Sequence, residues 1–110
     1  MTTLTDFLLA RIAEDEERIT RLRILTAEDR GETYTGWAGH DRVLAECEAK
    51  RQIVGDHTLW PGWFGNRATC GRCYDGDDVY SEDSAYPCLT LRALATVYAD
   101  HPDYDEAWRP

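Results

Sequence analysis

Apolar residues recur at helical spacing near the start of the chain. Leucine and isoleucine follow one another at intervals of four, four, seven and three residues, at Leu4, Leu8, Ile12, Ile19 and Leu22. Such intervals keep side chains on one face of an α-helix. The opposite face is charged, with acidic residues four positions before basic ones, the favourable order for ion pairs. The pattern predicts an amphipathic helix that Thr3 or Thr5 caps and that runs to about Leu25.

A second stripe of helical period follows a glycine-punctuated segment. Glycines interrupt residues 27–40, which predicts a loop with at most a short strand or hairpin. The stripe then appears at intervals of four, three, four and three residues, at Val43, Cys47, Lys50, Val54 and His57. It predicts a second helix over about residues 42–56, with Asp41 as its cap. We expect the two helices to form an antiparallel hairpin.

The pattern changes again after the second helix. Aromatic residues surround a Pro-Gly pair in residues 59–65, which predicts an aromatic loop that closes the core or offers a patch to a partner. An acidic loop is predicted next. A third helix is predicted to begin near Pro87, which suits the first helical position, and to continue through Tyr98. Tyr104 and Trp108 are predicted to lie on one side of a further turn or two.

Length and composition indicate one folded domain. The chain has 110 residues, of which 43% are hydrophobic, and it contains four tryptophans. Its N-terminus lacks a basic region followed by an apolar run, and no stretch approaches the roughly 20 apolar residues that span a bilayer. We therefore expect a cytoplasmic protein with no membrane contact. Thiols stay reduced in that compartment.

The charge of the chain is strongly acidic and unevenly spread. The formal net charge is −9, and residues 74–110 hold nine acidic and two basic side chains. An acidic surface repels phosphate backbones, which argues against direct contact with nucleic acid. Its simplest role is to keep the protein dissolved.

The cysteines and one histidine have the spacing of a zinc site. Three cysteines and an upstream histidine are separated by 12, 2 and 14 residues, in the series His57, Cys70, Cys73 and Cys88. This spacing is typical of structural zinc in small intracellular domains. Cys88 is expected in the first turn of the third helix, where the helix dipole favours a thiolate. The sequence predicts a structural Zn²⁺ ion held by these four residues.

The fourth ligand is open at this point. His57 ranks first, and Cys47, His101 and water are the alternatives. Cys47 lies on the core-facing stripe and is more simply a small buried apolar residue. Four protein ligands would make the site structural, whereas a bound water would allow catalysis. Iron is an alternative to zinc.

Other chemistry has weaker support in the sequence. The cysteine pair does not follow a strand in a parallel-sheet pattern, so a thioredoxin-like redox role is disfavoured. The acidic run at residues 75–78 places its glycine too early for a calcium loop. No phosphate-binding glycine loop, nucleophile elbow or His-Glu-x-x-His motif occurs.

Three stretches resemble a family of small uncharacterised proteins from actinobacteria and their phages, a domain of unknown function. They are residues 7–16, residues 41–54 with His57, and a C-terminal signature. The signature consists of Tyr86-Pro87-Cys88-Leu89-Thr90-Leu91-Arg92, His101-Pro102-Asp103-Tyr104 and Trp108-Arg109-Pro110. The resemblance implies the architecture and a bacterial or phage setting, and it implies no activity.

The combined prediction is a mainly α fold in a single domain, residues 1–110. A helical hairpin, residues 1–57, packs on a zinc-stabilised unit, residues 58–110, that contains a short cysteine turn and the third helix. We expect a non-enzymatic module that binds a protein partner, in one version a phage-encoded factor directed at the host. The alternatives are a zinc enzyme with an open metal position and an acidic mimic of nucleic acid.

Overall fold

The computed structural model describes residues 2–30, 38–60, 69–73 and 85–110. Within these residues, three α-helices are α1 (Leu4–Arg30), α2 (Ala38–Asp56) and α3 (Leu89–Ala95). Two short strands, β1 (Leu59–Trp60) and β2 (Thr69–Cys70), pair antiparallel. Short 3-10 helices follow at Thr96–Tyr98 and Glu106–Trp108. The prediction of a mainly helical fold is confirmed.

The first helix is longer than its apolar stripe predicts. Thr3 begins it as one of the two expected caps, because its Oγ1 accepts a hydrogen bond from the backbone N–H of Asp6 at 3.1 Å. The predicted end at about Leu25 is wrong, since the helix continues to Arg30. Residues 26–30 add no apolar stripe, yet they include good helix formers such as Ala27 and Glu28.

The second helix begins before its predicted cap. It starts at Ala38, so Asp41 lies in the first helical turn, where its charge suits the helix dipole, and does not cap the helix. The loop predicted over residues 27–40 is therefore wrong at both ends. Residues 31–37, where the short strand or hairpin was expected, lie outside the described residues.

Two ion pairs show that α1 and α2 run antiparallel. Arg23, late in α1, contacts Asp41 near the start of α2 at 3.0 Å. Glu16, nearer the middle of α1, pairs with Arg51 near the end of α2. The predicted antiparallel hairpin is confirmed.

The core lies where the first half of α1 meets α2, α3 and the C-terminal tail. Its buried side chains come from all these elements and are Leu4, Phe7, Leu8, Ile12, Cys47, Val54, Leu91, Ala95 and Tyr104, with Cys70 and Cys88 at one end. The stripe predicted for α1 is buried only in part, because Leu22 is 45% exposed. Conversely, Phe7 was not predicted as a core residue and is 2% exposed.

The C-terminal tail folds back onto α1 through aromatic contacts. The Phe7 ring lies 5.0 Å from the Trp108 ring and 6.1 Å from the Tyr104 ring, between centroids. The predicted final turn is confirmed as the 3-10 helix Glu106–Trp108. Ring pairs at these distances stabilise the fold by more than the burial of their apolar area alone.

The third helix begins two residues later than predicted. Pro87 follows a cis peptide bond with Tyr86, and Cys88 is the N-cap of α3. The helix then continues as the 3-10 turn that ends at Tyr98, the residue where its end was expected. None of the described helices combines the length and the apolar character that crossing a membrane requires. The division at residues 57 and 58 stays a prediction.

Candidate metal centre

A short β-ladder brings His57 next to Cys70. His57 follows the last residue of α2, and its backbone N–H donates to the carbonyl of Ile53 at 3.1 Å. Two residues later Leu59 pairs with Cys70 in the antiparallel ladder. The N–H of Gly71 also donates to the carbonyl of Thr58 at 3.0 Å. The end of α2 is thereby held against the start of the cysteine turn.

The remaining two cysteines reach the same place from different segments. Cys73 lies at the end of the turn formed by residues 71–73. Cys88 arrives from the other side, because Ala85 forms an isolated antiparallel bridge with Thr69 of β2. Cys88 has extended backbone angles and is fully buried at the start of α3. Three separate segments thus converge on one point.

The three cysteine sulfurs of the cluster lie at similar distances from one nitrogen of His57. His57 Nδ1 lies 3.3 Å from Cys70 Sγ, 3.5 Å from Cys73 Sγ and 3.4 Å from Cys88 Sγ. The four candidate ligand atoms all lie within 4.8 Å of one another. Around a tetrahedral zinc ion, bonds of about 2.3 Å to sulfur and about 2.0 Å to nitrogen give N–S edges of about 3.5 Å.

Hydrogen bonding alone does not account for these three contacts. An imidazole Nδ1 carries either one proton or one lone pair, so it makes one good hydrogen bond at a time. Here three sulfurs lie at nearly equal distances from it. Equal distances are what a shared central ion requires of its ligands. The arrangement is therefore compatible with a metal site.

The Cys73 thiol disfavours negative charge in the absence of a cation. Burial, together with hydrogen bonding to Cys70 and repulsion from the neighbouring sulfurs, raises the pKa of Cys73 to about 12. A divalent cation reverses this balance, since a coordinated thiol is deprotonated outright. Cys70 and Cys88 are 0% exposed, whereas Cys73 and His57 are partly exposed.

The structure brings together all four residues of the predicted site and leaves out both alternative side chains. Cys47 is buried between α1 and α2, where burial and the charges of Asp15 and Glu16 raise its pKa. His101 is not part of the cluster, and its ring contacts Arg11 and Phe7. That the cluster binds a metal, and which metal, stays a prediction.

Sequence reasoning missed a residue that fixes the cluster to the hairpin. The Tyr86 hydroxyl accepts a hydrogen bond from the Thr5 backbone N–H at 3.1 Å and lies 2.6 Å from Thr5 Oγ1. Tyr86 stands two positions before Cys88, so this bond attaches the Cys88 segment to the first turn of α1. The two residues are 81 positions apart, and no spacing rule links them.

A second polar group, also unpredicted, lies between α1, α2 and the C-terminal segment. The Tyr98 hydroxyl donates to Asp15 Oδ2 at 3.1 Å, and Lys50 Nζ donates to the same hydroxyl at 3.4 Å. Burial and the charge of Asp15 raise the pKa of Tyr98 well above its usual range. This group joins three elements of the fold.

Two segments singled out in the sequence lie outside the described residues. They are the aromatic loop beyond Trp60, residues 61–68, and the acidic segment over residues 74–84, which includes the calcium-like run. The interpretations of both segments stay predictions.

The comparisons with known proteins give a family and no activity. The model of a family of unknown function, DUF6221, matches residues 1–110, and the chain belongs to this family. Neither a curated protein nor a solved structure matches the chain. The predicted resemblance to an uncharacterised family is thereby confirmed, while the expected actinobacterial or phage origin stays a prediction.

Proposed function

We propose that this member of a family of unknown function is a small zinc-binding domain whose ion has a structural role. His57, Cys70, Cys73 and Cys88 would hold one Zn²⁺. The observation that carries the proposal is the set of three nearly equal distances, 3.3 to 3.5 Å, from His57 Nδ1 to the cysteine sulfurs. Three thiolates and one imidazole form a donor set that zinc favours, whereas magnesium and calcium prefer oxygen.

A closed ligand set favours a structural ion over a catalytic one. Catalytic zinc sites keep one position for water or substrate, whereas four protein ligands fill the tetrahedron. Binding of structural zinc contributes on the order of 10 kcal/mol of apparent folding free energy in small zinc peptides. That contribution is comparable with the net stability of an average domain, about 5 to 15 kcal/mol. The ion would therefore be the main contributor to the stability of the C-terminal unit.

Metal analysis tests this proposal. Protein purified from zinc-supplemented cells is expected to contain one zinc per chain, and Cys70→Ser is expected to lose most of it. Cys47→Ala is the matched control, since this thiol is buried outside the cluster, and it should keep its zinc. Equal zinc contents in the wild type and Cys70→Ser, or an iron content that exceeds zinc, would refute the proposal.

With a structural ion, the role of the domain is interaction with another protein, without catalysis. The net charge of −9 supports this function, because an acidic surface attracts basic partners and speeds their association. We place the protein in the cytoplasm, where reduced thiols remain free to bind metal. The C-terminal signature supports an actinobacterial or phage setting. In a phage, the interaction module would act on a protein of the host.

Affinity capture tests the interaction role. Zinc-loaded protein is used as bait in an extract of the native host, and the chelated protein and a charge-matched unrelated acidic protein serve as controls. A partner that binds the loaded protein alone is the expected result. Recovery of basic nucleic-acid-binding proteins on the loaded and the chelated protein, and not on the unrelated acidic protein, would instead favour mimicry of nucleic acid, the alternative that the same charge supports.

A further inference from the structure

The three sulfur atoms of the metal cluster differ in their access to solvent. Cys70 and Cys88 are completely buried, whereas Cys73 is partly exposed at the end of a turn. The two residues before it, Gly71 and Arg72, are exposed as well. A dissolved reagent therefore meets Cys73 before it meets the other two sulfurs.

The neighbours of Cys73 allow a two-electron oxidation to be completed. The Cys73 sulfur lies within 4.8 Å of the sulfurs of Cys70 and Cys88, so both are close enough to form a disulfide with it after small side-chain movements. Cys70 belongs to the same turn, three residues earlier. Cys88 begins α3, which is fixed in the core by Leu91 and Ala95. Pairing with Cys70 changes the turn alone, and is therefore the easier reaction.

We propose that the cluster is a peroxide-sensitive zinc site, in which Cys73 is the thiolate that reacts first and Cys70 is its resolving partner. The proposal rests on the zinc site proposed above. It assigns a site of oxidative modification to this turn, and hydroperoxides are the class of oxidant. Zinc keeps cysteine sulfur in the thiolate form, which is the nucleophile in such reactions.

The reaction balances in two steps. The Cys73 thiolate attacks the terminal oxygen of the hydroperoxide, which breaks the O–O bond, forms a sulfenic acid and releases an alcohol, or water if the oxidant is hydrogen peroxide. The Cys70 thiolate then attacks the sulfenic sulfur, which forms the disulfide and expels hydroxide. Two thiolates, one hydroperoxide and two protons from solvent give one disulfide, one alcohol and one water. His57 and Cys88 remain, and two ligands hold zinc too weakly to retain it against competition.

Peroxide treatment of the zinc-loaded full-length protein tests the proposal. A chromogenic chelator follows zinc release, and mass spectrometry of unreduced peptides maps the disulfide. We expect one zinc released per chain, a bridge between Cys70 and Cys73, and recovery of zinc binding after reduction and addition of Zn²⁺. Zinc that stays bound in peroxide, or zinc that leaves while the bridge joins Cys73 to Cys88 or is absent, would overturn the proposal.

Two variants and a labelling experiment make the test specific. Cys73→His keeps four ligands of types that zinc accepts, and its zinc release in peroxide should be slower by at least about tenfold because the exposed thiolate is gone. Cys47→Ala should release zinc at the wild-type rate. Brief alkylation of the zinc-loaded wild type should label Cys73 before Cys70 and Cys88, and this result does not depend on any variant. Simultaneous labelling of the three would contradict the assignment.

The outcomes separate this proposal from the one on which it depends. Protein that contains no zinc before oxidation refutes the zinc site itself. Protein that contains one zinc per chain and retains it in peroxide leaves the structural site intact and refutes only its sensitivity to oxidation.

Discussion

His57 is the residue on which the proposed metal centre depends most directly. Its Nδ1 is the atom that lies at nearly equal distances from three sulfurs, and its backbone ends the hydrogen bonding of α2. The residue that ends the hydrogen bonding of α2 is therefore also the residue that supplies the candidate ligand. A change of this side chain alters the donor set without disturbing the packed interior, because His57 is only partly buried.

Substitution of His57 should affect zinc affinity according to the donor that replaces it. His57→Ala removes one of four ligands and should lower zinc affinity by at least about tenfold, whereas His57→Cys restores four ligands and should retain the ion. Competition with a chelator of known affinity measures both. His101→Ala is the control that should change nothing in this assay. An equal loss in His101→Ala and His57→Ala would contradict the assignment of the fourth ligand.

Tyr98 gives the protein a specific sensitivity to alkaline pH. Burial and the neighbouring Asp15 raise the pKa of its phenol in the folded state, whereas an unfolded tyrosine ionises near pH 10. Below about pH 10 the phenol is protonated in both the folded and the unfolded state, so its full contribution to the stability of the fold is present. Above that pH the phenol ionises in the unfolded state but still holds its proton in the folded state. Ionisation lowers the free energy of the unfolded state, so the contribution of Tyr98 to stability falls.

Denaturant titrations at several alkaline pH values check this contribution. The free energy of unfolding of the wild type should fall more steeply above about pH 10 than that of Tyr98→Phe, which has no phenol to ionise. Parallel slopes for the two proteins would show that Tyr98 ionises equally in the folded and unfolded states.

At the scale of elements, periodicity predicts the helices better than their ends. The stripes from Leu4 and from Val43 predicted α1 and α2, because intervals of three and four residues occur on one helix face. The end of α1 and the start of α2 were missed, since helix propensity continues at Ala27 and Ala38 where no apolar stripe marks it. Spacing also predicted the four residues of the cluster, since close ligand pairs follow local chain geometry. The Tyr86–Thr5 bond was not predictable, because it depends on how distant segments dock.

The burial of α1 differs between its two halves, and two isoleucines on the same helix test this difference. Ile12 is 0% exposed and Ile24 is 55% exposed. Ile12→Ala should destabilise the protein by about 2 to 5 kcal/mol, because it removes packed methyl groups and leaves a cavity. Ile24→Ala, the matched control, should stay within about 0.5 kcal/mol of the wild type. Chemical denaturation measures both, and similar losses would contradict the position of the core.

At the scale of the whole molecule, two kinds of contact hold the C-terminal half in place. An aromatic group packs Tyr104 and Trp108 against Phe7, and the cysteine cluster joins the end of α2, the cysteine turn and the start of α3. The aromatic contacts do not depend on metal. The ladder Leu59–Trp60 with Thr69–Cys70 is only two residues long on each strand, so it is expected to depend on the ion.

Removal of zinc should therefore loosen one part of the molecule more than the other. Chelation, or Cys73→Ser, should reduce protection from amide hydrogen exchange in residues 69–73 and 85–95, while residues 4–20 of α1 keep most of theirs. Hydrogen exchange followed by mass spectrometry resolves these segments. Full protection of both parts after chelation, with unchanged thermal stability, would refute the structural role of the ion.

X-ray absorption spectroscopy at the zinc edge is the most direct test of the proposed coordination by three cysteines and one histidine. It separates sulfur ligands from nitrogen or oxygen ligands in the wild-type protein without a mutation, and scattering from the outer atoms of the imidazole ring identifies a histidine ligand. We expect one zinc site with three sulfur ligands near 2.3 Å and one imidazole nitrogen near 2.0 Å, about the bond lengths of such sites. A site without imidazole scattering, or with fewer than three sulfurs, would contradict the closed site formed by His57, Cys70, Cys73 and Cys88.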